Sequence, residues 1–456
     1  MSDIIDMDRQ MDLLRQLLED EKMSQFRTLW LDWHLYDQGQ FYLTLDKELR
    51  DRLYTYLSPK EMADMLDVVE EDHQDIKEYI AEMHPEYVAS ILTEMFTDNA
   101  VDILSQLEKK DIRNYLSLMD VDTARELKEL LHYEDKTAGS IMATEYVSIY
   151  ANQTVQSALA ILKEEAKEAE IIYYVYVVSK ENKLVGVLSL RDLIVSDYDQ
   201  MISDVMSERI MFVDVDDDQQ DVAQVFRDYD LLAIPVTDYN QQLVGIITVD
   251  DIIDVIDDEA TSDYSGLAGV DVDEMTESPI KAASKRLPWL ITLLFLGMST
   301  ATLISNYEEL ISEASILAVF ISLITGTAGN AGTQSLAVAV RRLAVTDEEN
   351  INISRLVLTE VLTGLLTGFV TGVVIFLVVG FWKQNFILGF VIGVAMMCAI
   401  TVANLAGSII PMLMEKLGFD PAVASGPFIT TLSDLTSVLI YFNIAKLFLS
   451  FFTGTQ

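Results

Sequence analysis

The chain is short of cysteine, histidine and positive charge. It has one Cys and four His, and 31 Lys+Arg stand against 73 Asp+Glu in 456 residues, a formal net charge of −42. Each shortage excludes something. A lone Cys398 can form no internal disulfide and no cysteine-based metal cluster, and its place in an apolar run reads as packing. His34, His73, His84 and His132 are scattered, with no pair at ligand spacing on one helix, which excludes a histidine zinc site. The deficit of positive charge repels phosphate backbones, so a nucleic-acid partner is excluded. The sequence has no His-Glu-x-x-His, Gly-x-Ser-x-Gly or phosphate-loop pattern and does not read as an enzyme. The segment Met1–Gln10 carries charges and no apolar run, unlike a secretory signal.

What is present is unevenly placed. Residues 1–283 carry 23 Lys+Arg and 63 Asp+Glu, a net of −40, whereas residues 284–456 carry 8 and 10, a net of −2. The chain therefore reads as an acidic soluble part followed by a nearly neutral, apolar part. The second part has five long apolar stretches, Pro288–Ser305, Ala314–Val340, Leu356–Trp382, Phe386–Met414 and Val423–Phe452. A bilayer core of ~30 Å needs about 20 helical residues, so each is a candidate span in a lipid bilayer. Basic residues collect on one side: Lys281, Lys285 and Arg286 before the first span, Arg341, Arg342 and Arg355 between the second and third, and Lys416 between the fourth and fifth. Lys383 is the opposing base, and Lys446 reads as snorkelling outward. This bias places the amino-terminal part in the cytoplasm of a multi-pass plasma-membrane protein, with the C-terminus outside.

Residues 1–136 read as a helical superhelix. Short amphipathic segments begin at Ser58-Pro59, His84-Pro85, Thr97-Asp98, Glu108 and Asp120. The Trp30, Trp33 and Tyr36 cluster reads as core. Residues 137–257 contain a duplication at an offset of 59 residues. Gly186-Val187-Leu188-Ser189-Leu190-Arg191-Asp192-Leu193-Ile194 matches Gly245-Ile246-Ile247-Thr248-Val249-Asp250-Asp251-Ile252-Ile253. Strand patterns at Ile172–Val178 and Ala233–Val236 precede the two copies, and a helix follows each. This repeat resembles a tandem pair of cystathionine-β-synthase (CBS) domains, an α+β module whose cleft can hold an adenine nucleotide such as ATP. Ser189 or Thr248 can meet a phosphate, Asp192 or Asp251 the ribose, and Tyr173 or Tyr174 the base. The same residues can instead cap helices. Arg191 makes the first copy the better nucleotide candidate.

Acidic runs form a second set of candidates. Asp214, Asp216, Asp217 and Asp218 make one run, and Asp250, Asp251, Asp254, Asp257, Asp258 and Glu259, ending at Asp263, make another. On a helix Asp250, Asp254, Asp257 and Asp258 share a face, as do Asp98 and Asp102. A solvated face is one reading. The scarcity of interleaved Lys or Arg favours a hard divalent cation held by carboxylate oxygens and water.

Ionisable residues inside spans default to function. Asp434 lies in the fifth span and Glu360 near the cytoplasmic end of the third. Gly326–Gln334 is expected to interrupt the second span with small and polar residues, and Pro427 to free a backbone carbonyl beside Asp434. The order of helical domain, CBS pair, connecting helix and five spans resembles the MgtE magnesium channels and transporters. So do Gly329-Asn330-Ala331-Gly332-Thr333-Gln334, Asp420-Pro421-Ala422, Ser425–Asp434, and Glu259-Ala260-Thr261 leading to Lys285-Arg286-Leu287-Pro288-Trp289.

The resemblance implies an integral membrane protein in four parts: an all-α domain at 1–136, a CBS pair at 137–257, a connecting or plug helix at 258–284 and a five-helix membrane domain at 285–456. It implies a homodimer with its pore on the twofold axis, Asp434 as pore acid, and Asn330 and Asp420 at the pore or its entrance. It also implies magnesium sensing by the acids of the second CBS copy. The expected function is Mg2+ uptake closed by cytoplasmic Mg2+. The alternative is the same architecture moving Mn2+ or Co2+.

Overall fold

The computed structural model describes residues 2–70, 76–270, 272, 278–343, 353–417 and 424–452. Its contacts divide the chain into two units, residues 1–256 and 257–456. The first unit begins with ten helices. They run in order α1 (Ser2–Glu19), α2 (Met23–Trp30), α3 (Leu35–Leu43), α4 (Lys47–Tyr56), α5 (Pro59–Glu70), α6 (Ile76–Glu82), α7 (Pro85–Glu94), α8 (Thr97–Ser105), α9 (Lys109–Leu118) and α10 (Val121–Leu130). The five expected start signals all coincide with helix starts. Pro85 occupies the first turn of α7, where its missing N–H has no partner to lose. Asp120 caps α10 by accepting from the Asp122 and Thr123 backbone N–H groups. Alternate helices stack, α3 on α5, α5 on α7 and α7 on α9, which makes a superhelical ladder. Trp30 is fully buried, Trp33 packs at the margin of that core, and Tyr36 is exposed.

The duplication folds into two sheets of identical plan. Strands β1 (Ser148–Tyr150), β2 (Tyr174–Val178) and β3 (Leu184–Ser189) form one, and β4 (Val213–Asp214), β5 (Ala233–Thr237) and β6 (Leu243–Thr248) the other. In each, the first pair is parallel and the second antiparallel. The helices of this region are α11 (Val155–Glu165), α12 (Leu190–Val195), α13 (Ile202–Val205), α14 (Gln219–Tyr229) and α15 (Val249–Ala268). The symmetry extends to side chains. The Met206 thioether lies over Gly186, and Met142 lies over Gly245, where no Cβ would fit. The β4–β6 sheet shares one core with the ten helices, while β1–β3 has its own.

The second unit holds α16 (Pro279–Ser305), α17 (Glu308–Glu313), α18 (Ile321–Leu343), α19 (Ile353–Trp382), α20 (Phe386–Lys416), α21 (Gly426–Leu447) and α22 (Leu449–Phe452). Five of its helices are long and apolar enough to cross a membrane. At the α19–α20 connection the Lys383 ammonium sits 3.9 Å over the exposed Trp382 ring, an arrangement suited to a headgroup layer.

Two sequence expectations are corrected here. Gly326–Gln334 does not interrupt its span, because α18 is continuous through it. Glycine weakens a helix by about 1 kcal/mol each, and close packing offsets that. A Cβ on Gly329 would lie 3.0 Å from Thr430 Cγ2, and one on Gly332 3.0 Å from Ile429 Cγ2 and 3.3 Å from the Ala403 carbonyl oxygen. Pro427 likewise frees no carbonyl inside a helix, because it stands in the first turn of α21. There the Thr430 and Thr431 hydroxyls donate to the Gly426 and Pro427 carbonyls at 2.7 and 2.8 Å.

Candidate metal centre and membrane polar groups

Three carboxylates from distant parts of the sequence meet inside the first unit. Asp98 comes from the first turn of α8, Glu170 from the segment between α11 and β2, and Asp251 from the first turn of α15. Each offers an oxygen within 4.8 Å of the others. Local chemistry fixes each one. The Asn99 N–H donates to Asp98 Oδ1 at 2.8 Å. The Glu170 N–H donates to the Glu145 carbonyl at 2.9 Å. Thr248, at the end of β6, holds Asp251 Oδ2 through its N–H at 3.1 Å and its hydroxyl at 2.6 Å.

A fourth acid braces the centre. The Glu145 carboxylate accepts from the Thr97 N–H at 3.1 Å and the Thr97 hydroxyl at 2.9 Å, so the first turn of α8 is tied to the approach to β1. Thr97 and Asp98 are both buried.

Burial dominates the electrostatics. It raises the Asp98 carboxyl well above the usual range, and the charges of Asp251 and Glu170 add to the rise. Burial, then the Asp251 charge, pushes Glu170 up to about 8. Asp251 rises to about 6: burial is the main cause, the Thr248 hydrogen bonds oppose it, and Asp250 and Asp254 add to it. Buried like charges this close favour either protons or a cation. Glu170 Oε2 is buried with no hydrogen-bond partner, so an acceptor stands ready at the centre. The donor set is all oxygen, which suits a hard divalent ion that keeps several waters.

Of the acids singled out in the sequence, Asp98 and Asp251 belong to this centre. Asp102 is exposed on α8, outside it. The Asp214–Asp218 run makes a turn and a helix cap. The Asp214 N–H donates to Asp217, the Thr237 hydroxyl donates to Asp214, Asp218 caps α14, and Asp216 lies beside Tyr239. Asp250 is exposed and bonded by the Thr248 hydroxyl. Asp254, Asp257, Asp258, Glu259 and Asp263 follow along α15, with Asp257 and Asp258 exposed. Asp420 lies outside the described residues. Glu170 and Glu145 were not legible as site residues, because each stands in a connecting segment with no motif around it.

The first CBS copy gathers its nucleotide candidates at one strand end. The Leu190 N–H donates to the Tyr173 carbonyl at 2.9 Å, which sets Tyr173 beside Ser189. Ser189 and Asp192 form a reciprocal helix cap, the Asp192 N–H donating to Ser189 Oγ at 3.1 Å and the Ser189 N–H to Asp192 Oδ2 at 3.2 Å, while Tyr173 and Arg191 are exposed. In the second unit Asp434 is half-buried on α21, with the Thr325 side chain as hydrogen-bond partner. Asn330 and Gln334 lie exposed along α18.

These features find matches among known proteins. The family model described as MgtE, divalent cation transporter, matches residues 321–444, the MgtE intracellular N domain matches 33–136, and CBS domains match 138–197 and 202–258. The chain is 68% identical over 447 residues to magnesium transporter MgtE of Enterococcus faecalis, covering 98% of this chain and 99% of that one. It is 37% identical to the Bacillus subtilis protein of the same name over 95% of this chain and 96% of that one. The crystal structure of the soluble part of a magnesium transporter is similar at 61% identity and a TM-score of 0.54, covering 56% of this chain and 99% of that one. The cytosolic domain of the Mg2+ channel MgtE in complex with ATP is similar at 34% identity and a TM-score of 0.50, covering 53% and 98%. With its membrane domain, its CBS pair and its helical domain all matched, this chain belongs to the MgtE family of divalent cation transporters.

Proposed function

We propose that the chain carries Mg2+ into the cell across the plasma membrane, and that Mg2+ bound in its acidic cytoplasmic part closes the path. The Asp98–Glu170–Asp251 centre carries this reading, because it joins the helical domain to both CBS copies through groups that repel one another. Without a cation, ionised carboxylates favour separation of α8 from the start of α15. A divalent ion bound among them reverses the sign and favours the compact arrangement. That differential affinity couples cytoplasmic Mg2+ to the closed state as negative feedback.

In the membrane domain Asp434 and Asn330 face the ion path. Mg2+ gives up its waters reluctantly, so the path holds a largely hydrated ion by outer-shell hydrogen bonds. The protein acts as a homodimer, which places two Asp434 carboxylates at a shared axis. In support, α16 buries none of its residues within one chain, and Ile194, Val195 and Tyr198 form an exposed apolar patch on the CBS pair. The basic side of the membrane domain faces the cytoplasm and the C-terminus lies outside. Tyr173, Ser189, Arg191 and Asp192 take an adenine nucleotide such as ATP.

Asp434→Asn in the full chain, reconstituted in vesicles, should abolish or strongly weaken Mg2+ influx. Influx at the unsubstituted rate would overturn the assignment, and influx of Mn2+ or Co2+ in preference to Mg2+ would favour the alternative cargo.

A further inference from the structure

We infer that Glu360 is a positioning residue for transport: it fixes the rotation of α18 about its own axis, and so the direction in which Asn330 and Gln334 face. This rests on the reading above that Asn330 faces the ion path, with Gln334 one turn along the same exposed side of α18.

A stripe of residues spaced four apart runs along α19. Gly372, Gly368 and Gly364 face α20 with no room for a side chain. An added Cβ would lie 2.6 Å from the Gly393 carbonyl oxygen, 2.8 Å from the Met397 carbonyl oxygen and 2.8 Å from Thr401 Cα, respectively. One turn further toward the start of α19, the same stripe carries Glu360, a carboxylate only 8% exposed. A backbone contact that excludes even a methyl group is thus followed by a buried acid.

That acid is held by α18. The Ser335 hydroxyl lies 3.0 Å from Glu360 Oε2 and 2.8 Å from the Asn404 carbonyl oxygen, and its one proton is shared between the two acceptors. One buried hydroxyl therefore ties α18, α19 and α20 at a single point. Asn404 and Ser408 are buried beside it on α20. None of the ion pairs among the described residues includes Glu360.

The rest of the α18 interface mixes large and small residues. Its buried face includes Ala328, Gly329, Gly332, Ser335 and Ala339 beside the larger Ile324, Leu336 and Val340. Small residues allow close approach but offer few knobs that resist turning. Ile324, Leu336 and Val340 set part of the rotation, and the buried polar contact holds it, because any other rotation strands its groups in an apolar surround. Ser335 directly follows Gln334, so the contact acts next to the exposed polar face it would orient.

Labelling tests this directly. The natural thiol is removed with Cys398→Ser and a reporter is introduced with Asn330→Cys in the full chain. Its reaction rate with a charged methanethiosulfonate is then measured with Glu360 present, with Glu360→Ala and with Glu360→Gln. Glutamine keeps an acceptor for Ser335 and should keep the rate. Alanine should slow it, because about 1.4 kcal/mol of lost hydrogen bonding shifts the ratio of the two α18 rotations about tenfold. Ser335→Ala should do the same, and serves where Glu360→Ala fails to fold. A purely structural role would lower the melting temperature and leave the labelling rate of the folded protein unchanged, which overturns the inference. No labelling with Glu360 present would overturn the reading of α18 as path-lining, and this inference with it. Normal flux in Asp434→Asn combined with a Glu360-dependent labelling rate would sink the pore acid alone.

Discussion

Replacing Asp98 by asparagine keeps the shape of the side chain and removes one of three converging charges. With the carboxylate oxygens within 4.8 Å of one another, each ionised pair repels by about 3.5 kcal/mol or more for an effective dielectric constant near 20. Asp98 takes part in two such pairs, so with all three groups ionised the substitution would relieve about 7 kcal/mol or more. Protonation reduces it. With Glu170 pushed up to about 8, that group is largely neutral at pH 7. Asp98 is itself held well above the usual range, so the relief grows as pH rises and these carboxylates ionise. The substituted protein should therefore melt higher than the natural one in EDTA at pH 8.5, by about 2–4 °C for each kcal/mol relieved in a unit of this size. In millimolar Mg2+ the order should narrow or reverse, because the variant has lost a charged ligand. Its midpoint for Mg2+-induced protection of residues 1–256 against trypsin should move up about tenfold or more. Thermal unfolding and timed digestion of the full chain in detergent measure both. Equal melting in EDTA together with an unchanged Mg2+ midpoint would refute the claim that these carboxylates repel until a cation joins them.

The pH dependence has a definite sign. Asp98, Glu170 and Asp251 all have raised folded-state pKa values, with Glu170 at about 8 and Asp251 at about 6, so the folded state holds more protons than the unfolded one. Their stabilising contribution is complete below the ordinary carboxylate range and is lost as pH rises through about 6 to 8. Metal-free protein should melt lower at pH 8.5 than at pH 6, and saturating Mg2+ should flatten that slope. A slope that Mg2+ leaves unchanged would place the proton uptake elsewhere. In the membrane domain, Gly372→Ala puts a Cβ 2.6 Å from the Gly393 carbonyl oxygen. It should cost about 1–3 kcal/mol through forced separation of α19 from α20. An unaltered melting curve in detergent would show that the two helices do not approach as closely as described.

What was legible in the sequence was legible because it is local. Pro59, Pro85 and Asp120 marked helix starts through backbone chemistry confined to one turn. The repeat of Gly186–Ile194 at Gly245–Ile253 announced two equivalent strand–helix units, and both formed. Where local reading erred, a distant contact had outweighed it. Gly326–Gln334 looked like a break because glycine weakens a helix. It stays helical because Thr430, Ile429 and the Ala403 carbonyl close on Gly329 and Gly332.

Composition and periodicity by themselves determined that an acidic part precedes a neutral membrane part, that the first is helical and then duplicated, and that five helices can span a bilayer. These follow from charge, hydropathy and turn chemistry, which each segment carries with it. Only the tertiary structure decided which acids meet. In the sequence Asp98 shares a helix face with Asp102, yet in the fold it meets Glu170 and Asp251, far away in sequence. Glu360 gains a partner only when α18 brings Ser335 against it. A carboxylate's burial and neighbours set its charge and its affinity for a cation, and burial and neighbours belong to the fold.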